Sequence, residues 1–441
     1  MVTETYYKRP DYKASTHEWL ARGRRWDIEY KGYLSNHLTH AWVVMGGVGA
    51  PDETFSWWEK LYTNQLEEDP SREPGDLEPP RDWPGEGYTV INRLNWRNNV
   101  QSTRVAFPAF RDFFDQELRE NGLSQTLRTY LPALMPGLAG AALHPIIHTG
   151  WATDVESLNM LGEGLAYMAT SYQPIATEPP HEPATPLWAP DGTDLIEATL
   201  SYLRQPDAAE LTRAANEASE TEAYRAVNRG GFQHRIMTYN DPELPLGQSL
   251  NDIGPLALPD IDEPLDEVVE VITAFAAASL LGSDNEFFVL HGLTSLHGVL
   301  AVLPHLEPED RRAALVHWWR AVMATLVVQD RPGLDRTVEE FERWAKNRTD
   351  QPSAPLSSQK DHWWRETISS VLCSRDEHVP KAAYALWRWS AWGSLPEASH
   401  ALFERSARNL VSPNASGEVH ENLWFAKSFS EASKEKERRY D

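Results

Sequence analysis

Three proline-rich stretches, and the apolar spacing between them, set the limits on what this chain can fold into. Gln65 to Tyr88 carries five prolines among acidic residues, Gln173 to Thr193 carries six, and Asp241 to Pro264 is similarly broken. Proline lacks a backbone donor and forces its predecessor out of the helical region, so each stretch reads as a long loop. Between them the periodicity is helical. Val268, Val269, Ile272, Phe275, Ala276 and Leu280 recur at the spacing of one helix face. Phe107, Phe110, Phe113, Phe114 and Leu118 do the same, as do Leu315, Trp318, Trp319, Val322, Leu326 and Val327. Strand signals are sparse, and neither βαβ alternation nor a fixed-period repeat is found. The expected fold is all-α. Each loop is flanked by apolar segments that could not bury a face alone. One large helical body over residues 1–428 is therefore expected, followed by a charged, poorly packed C-terminal tail, 429–441.

Composition narrows the function. Of the 441 residues, 41% are apolar and 24% charged, enough to bury a core. Lys and Arg number 41 against 65 Asp and Glu, a formal charge of -24. Such a field repels phosphate backbones and anionic membrane surfaces, so neither nucleic acid nor a membrane is an expected partner. The single cysteine, Cys373, can form neither an internal disulfide nor a thiolate metal site, and as a nucleophile it has only the nearby His378 in its favour. The first ten residues are polar and unlike a signal peptide. The longest apolar run, Val271 to Leu281, is far short of the roughly 20 residues that span a bilayer. A cytoplasmic protein is expected; the oligomeric state is open.

Histidine is the informative residue type. Seven of the 15 histidines lie in four short clusters on apolar segments: His37 and His40, His144 and His148, His291 and His297, and His378 in Asp376-Glu377-His378-Val379-Pro380-Lys381. Residues three or four apart share a helix face, so His37/His40 and His144/His148 can each offer two imidazoles to one point. His291 and His297, six apart, face different ways, and at most one of them would join such a site. Imidazoles without thiolates suit iron, copper, nickel or zinc. A ligating imidazole needs a partner for its second nitrogen, and Glu156 or Glu163 could serve. Against this stands the simpler reading that each buried histidine is a hydrogen-bonded core residue. Pro145 is a further complication, because it can kink the 144–148 segment.

Other chemistry is poorly represented. There is neither a phosphate-binding loop nor an H-E-x-x-H motif, and Gly46-Gly47-Val48-Gly49-Ala50 does not make a dinucleotide fingerprint. Trp57-Trp58, Trp318-Trp319 and Trp363-Trp364 read as core and groove packing, though they are compatible with an aromatic-walled cavity for a flat substrate.

At these clusters the sequence resembles the questin oxidase-like family. The stretches that carry the resemblance are Tyr33 to Ala41, Phe107 to Phe114, Ala141 to Trp151, Gly162 to Ala166, Phe288 to Thr294 and His378 to Lys381, in the family's order. The resemblance implies an all-helical oxygenase that opens aromatic polyketides of anthraquinone type. It also implies a non-haem iron held by four histidines and a carboxylated lysine. Carried onto this chain, Lys381 is the candidate for that lysine, and His37, His40, His144, His148, His291 and His378 compete for the four imidazole places. The implied partners are Fe(II), dioxygen and a small aromatic substrate; no catalytic residue beyond the metal candidates is singled out. The rival is a metal-free Baeyer–Villiger-type oxidase using NADPH or a flavin, for which no dinucleotide fingerprint is present. A third reading is a non-catalytic helical binding protein.

Overall fold

A computed structural model of the chain describes residues 10–31, 34–69, 90–100, 104–175, 195–204, a few isolated positions between 210 and 258, and 265–329, 331–348, 356–372, 374, 376–392 and 395–411. Cys373, most of the three proline-rich stretches and the tail after 411 lie outside the described residues.

The chain is all-α. Among the described residues the α-helices are α1 (Ala14–Gly23), α2 (Leu38–Val48), α3 (Asp52–Tyr62), the single turn α4 (Trp96–Asn99), α5 (Phe107–Leu134), α6 (His144–Asp154), α7 (Leu158–Thr170), α8 (Leu195–Leu203), α9 (Asp266–Gly282), α10 (Phe287–Val302), α11 (Pro308–Val328), α12 (Leu334–Asn347), α13 (Ser358–Val371), α14 (His378–Ser390) and α15 (Glu397–Val411). Among the described residues the sheet is one short antiparallel pair, β1 (Glu29–Tyr30) with β2 (Leu34–Ser35), in register Glu29 to Ser35. The three segments with helical apolar spacing are α5, α9 and α11.

The interior is built around helices buried on every side. Each residue of α6 and of α10 is buried. The stretch Phe287–His305 is long and apolar enough to cross a membrane, and 94% of its apolar window is buried inside the protein, which makes it a central core helix. It runs against α6 at closest approach where Gly150 meets Gly298: a Cβ on Gly150 would stand 2.1 Å from the Gly298 Cα. Only glycine at both positions lets the two backbones come this near. Buried apolar side chains form one continuous cluster from Trp19 in α1 to Leu410 in α15. The tryptophan pairs contribute largely as packing: Trp58, Trp318, Trp319 and Trp364 are buried, whereas Trp57 is exposed.

Candidate metal centre

Histidines from four segments meet where the N-terminal ends of α2, α6 and α14 converge on α10. His37 is the N-cap of α2, held by its backbone N–H donating to the Tyr62 hydroxyl (3.1 Å). His144 opens α6 after a left-handed turn at Ala141, Ala142 and Leu143 (φ 45°, 54° and 68°). Pro145 does not kink this segment. It is the second residue of the helix, where a missing N–H costs nothing, and the helix runs on unbroken to Asp154. His291 lies one turn into α10, whose start is capped by the Glu286 carboxylate accepting from the Val289 N–H (2.9 Å). His378 opens α14, with Asp376 accepting from its backbone N–H at 3.0 Å.

Ring nitrogens of His37, His144, His291 and His378, all buried, lie within 4.8 Å of one another. His144 Nε2 is 3.1 Å from His37 Nε2 and 3.0 Å from His291 Nε2. Hydrogen bonding on the outer side of His144, His291 and His378 places a proton on each Nδ1. A carbonyl can only accept, so His144 Nδ1, 2.6 Å from the Ala141 oxygen, carries a proton, and so does His291 Nδ1, 2.6 Å from the Phe287 oxygen. His378 Nδ1 likewise donates to Asp376 Oδ1 at 2.8 Å, leaving an Nε2 that is buried and has no hydrogen-bond partner among the described residues. The Nε2 atoms of His144 and His291 and the unpartnered Nε2 of His378 thus face one space.

His40 and His148 form a second row. His40 Nδ1 is 3.1 Å from His37 Nδ1, and its Nε2 is 3.1 Å from His148 Nδ1. Behind them Glu163 Oε2 stands 3.7 Å from His148 Nε2, too long for a hydrogen bond, and its other oxygen is 3.5 Å from Arg24 Nε. Spacing by three residues therefore brings His37 and His40 into contact without aiming both rings at one point, and of His144 and His148 only His144 belongs to the inner cluster. The reason for the first pair is that His37 lies outside the helix that carries His40. His291 joins the cluster and His297 does not, in line with their separation of six.

Lys381, 0% exposed, brings its Nζ to 2.8 Å from His37 Nδ1. Burial pushes its ammonium down to about 7, against the opposing pull of Glu377 and Asp376. The imidazoles of His37, His40, His144 and His291 are held well below their ordinary value. Burial is the main cause, with neighbouring positive groups adding to it: Lys381 first for His37 and His144, His148 for His40, and His144 for His291. At neutral pH these four rings are neutral, the form that binds metal. Phe287 walls the site, its ring 4.3 Å from that of His291 and 5.0 Å from that of His378.

The donor set fits a transition metal. An ion holding two imidazoles at right angles, at about 2.1 Å each, separates their nitrogens by about 3.0 Å. That is the spacing of His144 Nε2 from His37 Nε2 and from His291 Nε2. Outer-side partners that set each tautomer are the usual support of ligating histidines. Sequence reasoning missed Asp376 as the partner of His378, although it stands two residues away in the same motif; Glu156 and Glu163 are not the partners of the inner four rings.

The family model described as questin oxidase-like matches residues 34–386. The chain belongs to that family. The matched span contains every histidine of the questin oxidase-like cluster as well as Lys381. No curated protein matches the chain. The family's name is that of an oxidase, and the buried cluster gives this member a place that could hold a metal ion.

Proposed function

We propose that the protein is a non-haem iron oxygenase whose ferrous ion is held by His37, His144, His291 and His378, with Lys381 as a carbamate. Its substrate in this reading is a polycyclic aromatic compound of polyketide type, oxidised or cleaved with dioxygen. One observation carries the metal: His144 Nε2 and His291 Nε2, both stripped of a proton by their Nδ1 hydrogen bonds, face each other at 3.0 Å. Two bare lone pairs that close repel in a buried site, and a cation shared between them turns the repulsion into coordination. Without thiolates the set favours iron, copper, nickel or zinc, and the oxidase name of the family favours a redox-active one of these.

Lys381 supplies what four neutral rings lack. With its ammonium brought down to about 7, a large share of the side chain is free amine at neutral pH. The amine lone pair attacks carbon dioxide; as the N–C bond forms, one C=O π pair moves onto oxygen, and the nitrogen's proton is released to solvent, leaving an anionic oxygen donor. When bound, iron supplies one-electron redox chemistry and an open position for dioxygen or substrate. The chain does the rest. The carbonyls of Ala141 and Phe287 and the carboxylate of Asp376 fix the rings, and Phe287 keeps water off two of them. The aromatic substrate class rests on the family resemblance and on this aromatic wall.

The test is elemental analysis of protein purified without added metal. Near-stoichiometric iron that is lost in His291→Ala, followed by oxygen consumption with anthraquinone-like compounds, is the expected result. No bound metal after anaerobic incubation with ferrous ion refutes the reading and leaves the metal-free oxidase.

A further inference from the structure

Three helices of the imidazole cluster carry a second buried polar group further along. After His144, His291 and His378, helices α6, α10 and α14 present Asp154, His297 and Tyr384, all buried to within 1%. The Tyr384 and Tyr12 hydroxyls, 2.7 Å apart, stand 3.3 Å and 3.2 Å from Asp154 Oδ2, and their two protons serve two of these three contacts at a time. His297 Nε2 stands 3.6 Å from Asp154 Oδ2, and Arg388 Nη2 stands 3.7 Å from Oδ1. The proposed function uses none of these groups.

Aromatic rings connect the two sites and continue beyond them. Trp151, fully buried, has its ring centroid 6.2 Å from His40 and 5.4 Å from Tyr384. On the far side Tyr384 is 5.7 Å from Trp387. The Trp387 indole donates to Asp361 (3.0 Å) and lies under the Arg365 guanidinium, 4.7 Å from its centroid. The side chains of Arg365 and Asp361 are 42% and 37% exposed, so the series ends at the surface. Tryptophan and tyrosine are the side chains whose rings most readily lose an electron. A phenol does so cleanly only when its proton has an acceptor in place, and Asp154 is one.

We propose that Trp151, Tyr384 and Trp387 form a hole-transfer chain that carries oxidising equivalents from the imidazole cluster to the surface, with Tyr384 as its proton-coupled station and Asp154 as the proton acceptor. The role rests on reading the cluster as a redox centre. A one-electron oxidant arising there, of the class ferrous iron makes with hydrogen peroxide, takes an electron from the Trp151 ring. Trp151 is refilled by Tyr384, whose O–H bond breaks as the proton passes to Asp154, leaving a neutral phenoxyl radical. Trp387 then returns an electron to Tyr384 while the proton comes back from Asp154. A thiol or ascorbate in solution fills the hole on Trp387. One electron enters for each that leaves, and the proton ends where it began. The chain spares the imidazoles when oxygen reacts without substrate.

The first experiment needs no metal. Full-length protein is flashed with photogenerated tris(bipyridine)ruthenium(III), a bulky one-electron oxidant that cannot touch the buried Tyr384, and is frozen for electron paramagnetic resonance. A phenoxyl signal that is lost in Tyr384→Phe and reduced in Trp387→Phe is expected. A signal unchanged in Tyr384→Phe overturns the proposal, whatever the metal content. In a second experiment, ferrous-loaded protein is treated with hydrogen peroxide and its oxidised residues are mapped by mass spectrometry. Oxidation at Trp387 in the parent that shifts to His37 and His40 in Tyr384→Phe supports the chain; iron bound with damage confined to histidine in both proteins overturns it. Absence of bound iron would count against the metal reading alone, since the flash experiment still decides the chain.

Discussion

Replacing Lys381 by methionine should make the metal-free protein more stable, and the gain should depend on pH in a way set by the lysine alone. The ammonium titrates near 10.5 in the unfolded chain and at about 7 in the fold. Between those values the unfolded chain holds a proton that the folded one does not, so stability falls as pH falls, by about 1.4 kcal/mol per unit, and levels off below 7. The accumulated cost is about 4 kcal/mol at pH 7 and under about 1 kcal/mol at pH 10. Methionine has similar volume and carries no such cost, though it forfeits the contact with His37, worth about 1 kcal/mol. The expected net gain is about 3 kcal/mol at pH 7, vanishing towards pH 10. The assay is urea denaturation of both proteins from pH 7 to 10 in carbon dioxide-free buffer with a chelator. Two stability curves that run parallel in pH would refute the reasoning, because they would mean that Lys381 is charged in the fold and balanced by Asp376 and Glu377.

Acid should unfold the metal-free protein early: four imidazoles held well below 6.5 bind protons only on unfolding, so stability falls as pH drops below about 6.5, by up to about 1.4 kcal/mol per ring and pH unit. Bound metal should move that transition to lower pH, as read by tryptophan fluorescence with and without ferrous ion. Asp376→Asn keeps an acceptor for His378 Nδ1–H but loses its charge, so metal affinity should fall about tenfold, the low end for such partners, with the melting temperature little changed. Gly150→Ala forces α6 away from α10 and should cost about 1–3 kcal/mol. It should also weaken metal binding without touching a ligand; a melting temperature and metal content equal to the parent's would contradict the close approach.

Helices were legible wherever apolar spacing was long and uninterrupted, as in α5, α9 and α11, because burial of one face selects that period. The division between His291 and His297 was legible for the same reason: a separation of six turns the two rings apart on a helix. The choice within His37/His40 and His144/His148 was not. A three- or four-residue spacing says that two rings are neighbours, but which one turns inward depends on where the other helices stand. For His37 it also depends on a cap conformation outside the helix. The role of Asp376 was hidden by rotamer and cap geometry, and the meeting of Tyr12 with Asp154 and Tyr384 spans too much sequence for any local pattern to reveal.

The cluster's members are far apart along the chain: His37 and His144 by 107 residues, His144 and His291 by 147, and His37 and Lys381 by 344. At ribosomal rates of about 5–20 residues per second, His37 is made roughly 17–70 s before Lys381. His144 follows after 107 residues and His291 after a further 147, so the cluster gains its members one helix at a time. The centre is thus complete only once α14 has been made, with α15 still to come. A chain cut short before α14 would be born with three of the four clustered imidazoles and without His378 and Lys381.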